Sequence, residues 1–258
     1  MEDDRENHRL ASKVDPAKFV EKYLKPYLHE PCRILDVGSG PGVIDRAIEK
    51  SFPEANIIAL DVSLRGAVAA HKNLSEINKL AVVLGDANCL PFDSNQFDFV
   101  FARFLLEYIC VPEQVVSEMI RVCRPGSRVF LQDLDGQLVW LYPENAELES
   151  HIKRVINYLS STKGFDPFVG RKLFNIAYSS GLKNIDVQAE SYHLFPGKID
   201  EKNYNLWETK LDIAMPMVTK ALNSKARALE LKNEYLDYLL REDTLMYSVL
   251  FTVTGLKP

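Results

Sequence analysis

The chain has 258 residues, 47% of them hydrophobic and 26% charged, and a formal net charge of -5. That is enough apolar material for one substantial α/β core, and the acidic balance gives no global attraction to a phosphate backbone or an anionic membrane, so no nucleic-acid partner is expected. The four cysteines, Cys32, Cys89, Cys110 and Cys123, lack CxxC spacing, no apolar run could span a bilayer, and the opening MEDDRENHRLASK is too polar for a secretory signal, so the expectation is a soluble, cytoplasmic protein with no metal site.

In chain order, residues 1–30 read as an N-terminal helical segment. Short β-branched or aromatic runs follow at 33–37, 56–60, 81–84, 97–101 and 128–132, each with a turn after it and in most cases a plausible helix. This βαβ rhythm spans 31–135. Continuous apolarity in ILDV and IIAL fits strands covered by helices on both faces of a parallel sheet, which makes the fold α/β, an open doubly wound sheet whose ligand lies beyond the carboxyl ends of the strands. Beyond Asp133 the pattern loosens. Helices over about 144–160 and 170–180, and the charged stretch 200–241, read as cap insertions at 136–183 and 198–243, with 184–197 and 244–258 as closing strands. No repeat or linker divides the chain, so a single domain is expected.

The segment Ile34-Leu35-Asp36-Val37-Gly38-Ser39-Gly40-Pro41-Gly42 places three glycines at alternate positions straight after a buried strand. Glycines there permit a tight turn and close approach of backbone to ligand. The spacing is GxGxG, and Asp36 precedes it. A pyrophosphate would be repelled by that carboxylate, whereas an ammonium-bearing ligand would be received by it. Asp61 ends the second strand about twenty residues later, where a carboxylate in this fold type can grip ribose hydroxyls; capping the helix that starts near Ser63 is its alternative role. Asp86 follows the third strand, and its carboxylate with the Ala87 N–H suits an adenine edge; a solvated turn aspartate is the plainer alternative.

These residues resemble the class I S-adenosylmethionine-dependent methyltransferases, especially the small-molecule group that includes the ubiquinone and menaquinone biosynthesis enzymes. The resemblance runs over about 33–133 and rests on ILDVGSGPG, IIALDVS, GDANCLPFDSNQFDFVFARFLLEYI and MIRVCRPGSRVFLQD in that order. It implies a Rossmann-like seven-stranded sheet with the last strand antiparallel, and S-adenosylmethionine as cofactor with S-adenosylhomocysteine as product. By position it implies that Gly38, Ser39, Gly40 and Gly42 border the methionine part, that Asp36 anchors that end, that Asp61 with Val62 meets the ribose and that Asp86 with Ala87 meets the adenine. Arg103, at the end of the fourth strand, becomes a partner for the cofactor carboxylate. Arg124-Pro125-Gly126-Ser127 resembles the tight turn before the fifth strand.

Methyl transfer needs alignment more than acid–base machinery, so no dedicated catalytic group is required. If the acceptor is a hydroxyl or phenol, His193 is the first candidate for a base, with Tyr108 and Tyr142 as equals. The cap aromatics and methionines (Tyr142, Phe165, Phe168, Tyr192, Phe195, Trp207, Met215, Met217) suggest an apolar or aromatic small-molecule acceptor, or simply packing. An RNA or protein methyltransferase, a non-catalytic S-adenosylmethionine-binding protein and, more distantly, an NAD-dependent oxidoreductase are the competing readings. The oligomeric state and the atom methylated are not specified by the sequence.

Overall fold

In the computed structural model, which describes residues 4–258, the five apolar runs become adjacent parallel strands of one sheet: β1 (Arg33–Val37), β2 (Asn56–Asp61), β3 (Leu80–Leu84), β4 (Phe97–Arg103) and β5 (Cys123–Asp135). The order is β3-β2-β1-β4-β5, after which β8 (Leu245–Leu256) runs antiparallel between β5 and β7 (Lys183–Pro196). This is the predicted Rossmann-like sheet with its last strand antiparallel. A two-residue strand, β6 (Leu141–Tyr142), adds an eighth member by pairing with the start of β8.

Both faces are covered, which is why ILDV and IIAL carry apolar side chains at consecutive positions. On one face α2 (Pro16–Phe19), continuing as a π-helical stretch Val20–Leu24, and α3 (Val43–Ser51) cover Ile34, Phe99, Phe101 and Phe130. The other face holds α5 (Pro112–Val122) and α7 (Leu173–Ser179), whose Val115, Met119, Leu173 and Ile176 pack on Leu35, Val100 and Leu131. Each such fully buried Leu, Ile or Phe contributes about 1.5–3 kcal/mol. The helix α4 (Leu64–Leu74) seats Ala70 and Leu74 against Ala59 of β2.

Among the cap helices, α6 (Ala146–Lys163), α8 (Glu201–Leu222) and α9 (Lys225–Leu239) form a second apolar cluster around Leu148, Trp207, Leu222 and Leu236, joined to the sheet by Met246. Side-chain caps at Asn145, Asp200 and Ser224 start these three helices. The N-terminal α1 (Asp4–Lys13) lies against α8 and α4; the first three residues of the 1–30 segment lie outside the described residues.

Two expectations are corrected. Residues 170–180 belong to the layer that covers the sheet, since Leu173, Ile176 and Ala177 are buried in the sheet's own core. Arg124–Ser127 is an irregular excursion within β5, held by the Gly126 N–H donating to Lys257 O at 2.9 Å and the Lys257 N–H donating to Ser127 O at 2.9 Å.

Candidate cofactor and acceptor site

At the end of β1 the strand order reverses between β2 and β4, leaving a crevice at the switch point. The chain turns there with Gly38, Gly40 and Gly42 at φ +84°, +54° and +73°, a left-handed region that other residues occupy only with strain. Leu60 O accepts the N–H groups of Gly38 at 2.8 Å and Ser39 at 3.0 Å, stitching the loop to β2. A Cβ on Gly42 would come within 2.5 Å of Leu74 Cδ1, so this glycine also lets α4 close on the loop, whereas one on Gly40 would meet only Leu10 Cδ1, at 3.8 Å.

Asp61 serves this loop directly. Its Oδ2 accepts the Gly40 N–H and its Oδ1 the Ser63 N–H, both at 2.8 Å. Helix capping falls to Ser63, whose Oγ accepts the Gly66 N–H at 3.1 Å. Val62 stands 71% exposed beside it. Asp86 is exposed and closes its own turn by accepting from Asn88 N and Nδ2, each at 2.8 Å, while Ala87 is buried.

Below the glycines lies a pair of carboxyls of which the sequence suggested only one. Asp36 is 3% exposed, and Asp45, in the first turn of α3, is fully buried. Burial, then the charges of Asp45 and Asp61, pushes Asp36 well above the usual carboxylate range; burial pushes Asp45 up to about 7. Both Asp45 oxygens and Ser39 Oγ are buried without a hydrogen-bond partner among the described residues. Buried polar atoms left in this state are uncommon, and these belong to the glycine loop and to the first turn of the helix that follows it.

Arg103, at the end of β4, donates from Nε to Gln132 Oε1 at 3.0 Å, and its guanidinium lies 4.0 Å from the Phe104 ring centroid and 5.0 Å from that of Phe19. Phe104 takes φ +54° and presents its ring to Tyr192, centroids 5.7 Å apart.

Beyond Phe104 a cavity of about 240 Å³ opens between α1, β7 and α8, lined by Arg9, Lys13, Tyr192, His193, Trp207 and Lys210 among others. A bulge in β7 between Tyr192 and Phe195, with His193 at φ +47°, is what brings the neighbouring side chains of Tyr192 and His193 to the same cavity. His193 Nδ1 lies 3.2 Å from Ser248 Oγ, and its ring packs edge-on against Trp207. Burial, then the cations of Lys13, Lys210 and Arg9, holds its imidazole neutral. Tyr142 is 65% exposed and does not line this cavity; Tyr108 packs against Phe165 instead.

Asp45 and the three cations were not singled out from the sequence. The one available signal was the i, i+4 spacing of Arg9 and Lys13, which puts both on one face of α1.

The segment 35–131 matches the family described as "Methyltransferase domain". Over that segment the chain is similar to methyltransferase domains. An uncharacterized methyltransferase of Schizosaccharomyces pombe is 30% identical over 159 residues, 58% of this chain and 56% of that one. A malonyl-[acyl-carrier protein] O-methyltransferase of Herminiimonas arsenicoxydans is 28% identical over 170 residues, 66% of this chain and 59% of that one. The chain therefore spans a little over half the length of these curated relatives. A putative methyltransferase from Bacillus halodurans superposes with a TM-score of 0.61 at 17% identity, over 95% of this chain and 99% of that one, a likeness of fold. The family match covers the glycine loop and the ends of β2, β3 and β4; α1, β7 and α8, which line the cavity, fall outside it. No helix among the described residues is long and apolar enough to cross a membrane, and no His, Cys, Asp and Glu group there could hold a metal ion.

Proposed function

We propose that the chain transfers the methyl group of S-adenosylmethionine to a small molecule held in the cavity between α1, β7 and α8. The observation that carries this reading is the buried, partnerless polar set of Ser39 Oγ and Asp45 beneath three left-handed glycines, with Asp36 beside it: a cationic ligand with hydrogen-bonding groups would satisfy what the protein leaves unsatisfied. When bound, S-adenosylmethionine supplies an electrophilic methyl on a sulfonium and leaves as S-adenosylhomocysteine.

In this reading Asp36 takes the ammonium end, with Gly38, Ser39, Gly40 and Gly42 along the methionine chain. Asp61, beside Val62, keeps lone pairs for the ribose hydroxyls while holding the loop, and Asp86 with Ala87 borders the adenine. Arg103 is assigned to the carboxylate end by its place at the end of β4. Phe104 and Tyr192 stand between the two halves and exclude water from the line of transfer. His193, neutral and half-buried, keeps a ring lone pair for a proton released by a hydroxyl acceptor. A cavity of about 240 Å³ supports a small molecule over a polynucleotide.

Calorimetry with S-adenosylhomocysteine and with NAD tests the cofactor, and transfer of labelled methyl to components of a metabolite extract tests turnover. Binding of NAD in place of S-adenosylhomocysteine would overturn the reading; cofactor binding without transfer to any component would reduce the chain to a binding protein.

A further inference from the structure

The cavity wall carries more positive than negative side chains. Arg9 is bound bidentately by Glu6, with Nε to Oε2 and Nη2 to Oε1 both at 2.8 Å, so that pair is internally neutral. Lys210 Nζ donates to the neutral amide of Gln137 at 2.6 Å and lies 5.0 Å from the Trp207 ring centroid. The Lys13 ammonium has no hydrogen-bond or ion-pair partner among the described residues; its neighbours are the Phe104 ring at 4.3 Å and the Tyr192 ring at 5.7 Å. The remaining acid nearby is Glu107, buried and already accepting from Gln137 Nε2. Burial lowers both lysines, Lys13 well below its ordinary value with the charges of Lys210 and Arg9 adding to the effect, and Lys210 to about 8. Two ammonium groups face one cavity without a carboxylate of their own, and each rests on an aromatic ring.

Crowding cations in a partly desolvated space is unfavourable unless something negative enters. Aromatic faces hold the two ammonium groups in place by cation–π contact and leave N–H donors for that entrant. Trp207, Phe195 and Leu194 offer the same cavity an apolar wall. The geometry points to an acceptor that carries an anionic group, a carboxylate or a phosphate, held between Lys13 and Lys210, with its apolar part against Trp207. This inference rests on the methyltransferase reading, because it takes the cavity to be the acceptor's.

The test uses the full chain saturated with S-adenosylhomocysteine and three probes of one shape: benzoate, phenyl phosphate and the neutral benzamide. Calorimetry is expected to show benzoate or phenyl phosphate binding about tenfold or more tightly than benzamide, the scale of a charge-assisted hydrogen bond, and the better of the two anions identifies the group. K13Q and K210Q are each expected to erase most of that preference while leaving S-adenosylhomocysteine affinity within about twofold. Benzamide binding as tightly as the anions, no binding of any probe, or a preference unchanged in both variants would overturn the inference. Failure of the wild-type protein to bind S-adenosylhomocysteine would sink the methyltransferase reading instead, so the two failures are distinguishable.

Discussion

The Asp61 carboxylate accepts the Gly40 N–H at 2.8 Å across 21 positions of sequence, joining the end of β2 to the centre of the glycine loop. Replacing Asp61 by Ala removes the acceptor for both Gly40 and Ser63. S-adenosylhomocysteine affinity is expected to fall by roughly 10–100-fold, the scale of one charged hydrogen bond, with Asp61→Asn losing less because its amide oxygen can still accept. Calorimetry on both variants checks the order; equal affinity in Asp61→Ala and wild type would refute it.

The buried carboxyls make stability depend on pH in an unusual direction. Burial pushes the Asp45 carboxyl up to about 7 in the fold, well above the ordinary carboxylate range. Its neutral form is therefore favoured by folding, and the contribution present below about 4 is lost as pH rises from there through about 7. Asp36 shifts the same way. Asp45→Asn removes one titration, so its melting temperature relative to wild type is expected to climb between pH 5 and pH 8, the gain reaching about 1–3 kcal/mol. Thermal melts across that range in the absence of ligand read this directly; a constant offset at all pH values would contradict it.

Gly42 and Gly126 separate two costs of a side chain. Both have positive φ, +73° and +76°, but a Cβ on Gly42 would meet Leu74 Cδ1 at 2.5 Å, and one on Gly126 would meet nothing within 4 Å. Gly126→Ala is expected to cost about 1–2 kcal/mol of backbone strain, and Gly42→Ala a further 1–3 kcal/mol, roughly, for displaced packing between α4 and the loop. Urea unfolding midpoints give both figures, and similar losses at the two sites would show that Leu74 moves aside freely.

Asp135, wholly buried at the end of β5, accepts from Arg171 Nε at 2.7 Å, Nη2 at 2.6 Å and the Arg171 backbone N–H at 2.9 Å. Arg171→Ala keeps only the backbone donor. A loss of about 1–3 kcal/mol is expected, larger than an exposed ion pair would give because the carboxylate has no route to water. Unfolding at pH 7 measures it, and a loss below about 0.5 kcal/mol would mean the carboxylate is rescued elsewhere.

The sheet was legible because its strands are covered on both faces, so apolarity runs unbroken through Ile34-Leu35 and Ile57-Ile58; only such a run distinguishes a buried parallel strand in a single sequence. The glycine loop was legible because it is local. Asp45 was not, since an acid in the first turn of α3 is what any solvated helix start would carry, and its burial follows from how α3 meets β1. Lys210 lies within a 22-residue helix of mixed charge, and its convergence with Lys13 depends on α1 folding back over α8. The layer to which 170–180 belongs was hidden for the same reason: a helical pattern states that a face is buried, not against which neighbour. His193 could be named as a base candidate, but the bulge that places it beside Tyr192 leaves no mark on strand alternation until the register is known.

Helix α1 reaches both halves of the crevice: Leu10 lies over Gly40, while Arg9 and Lys13 line the cavity beside it. A nucleoside and an acceptor would thus draw on the same docking free energy. Whichever binds first and secures the helix lowers the ordering cost for the other, and linkage makes the enhancement equal in both directions.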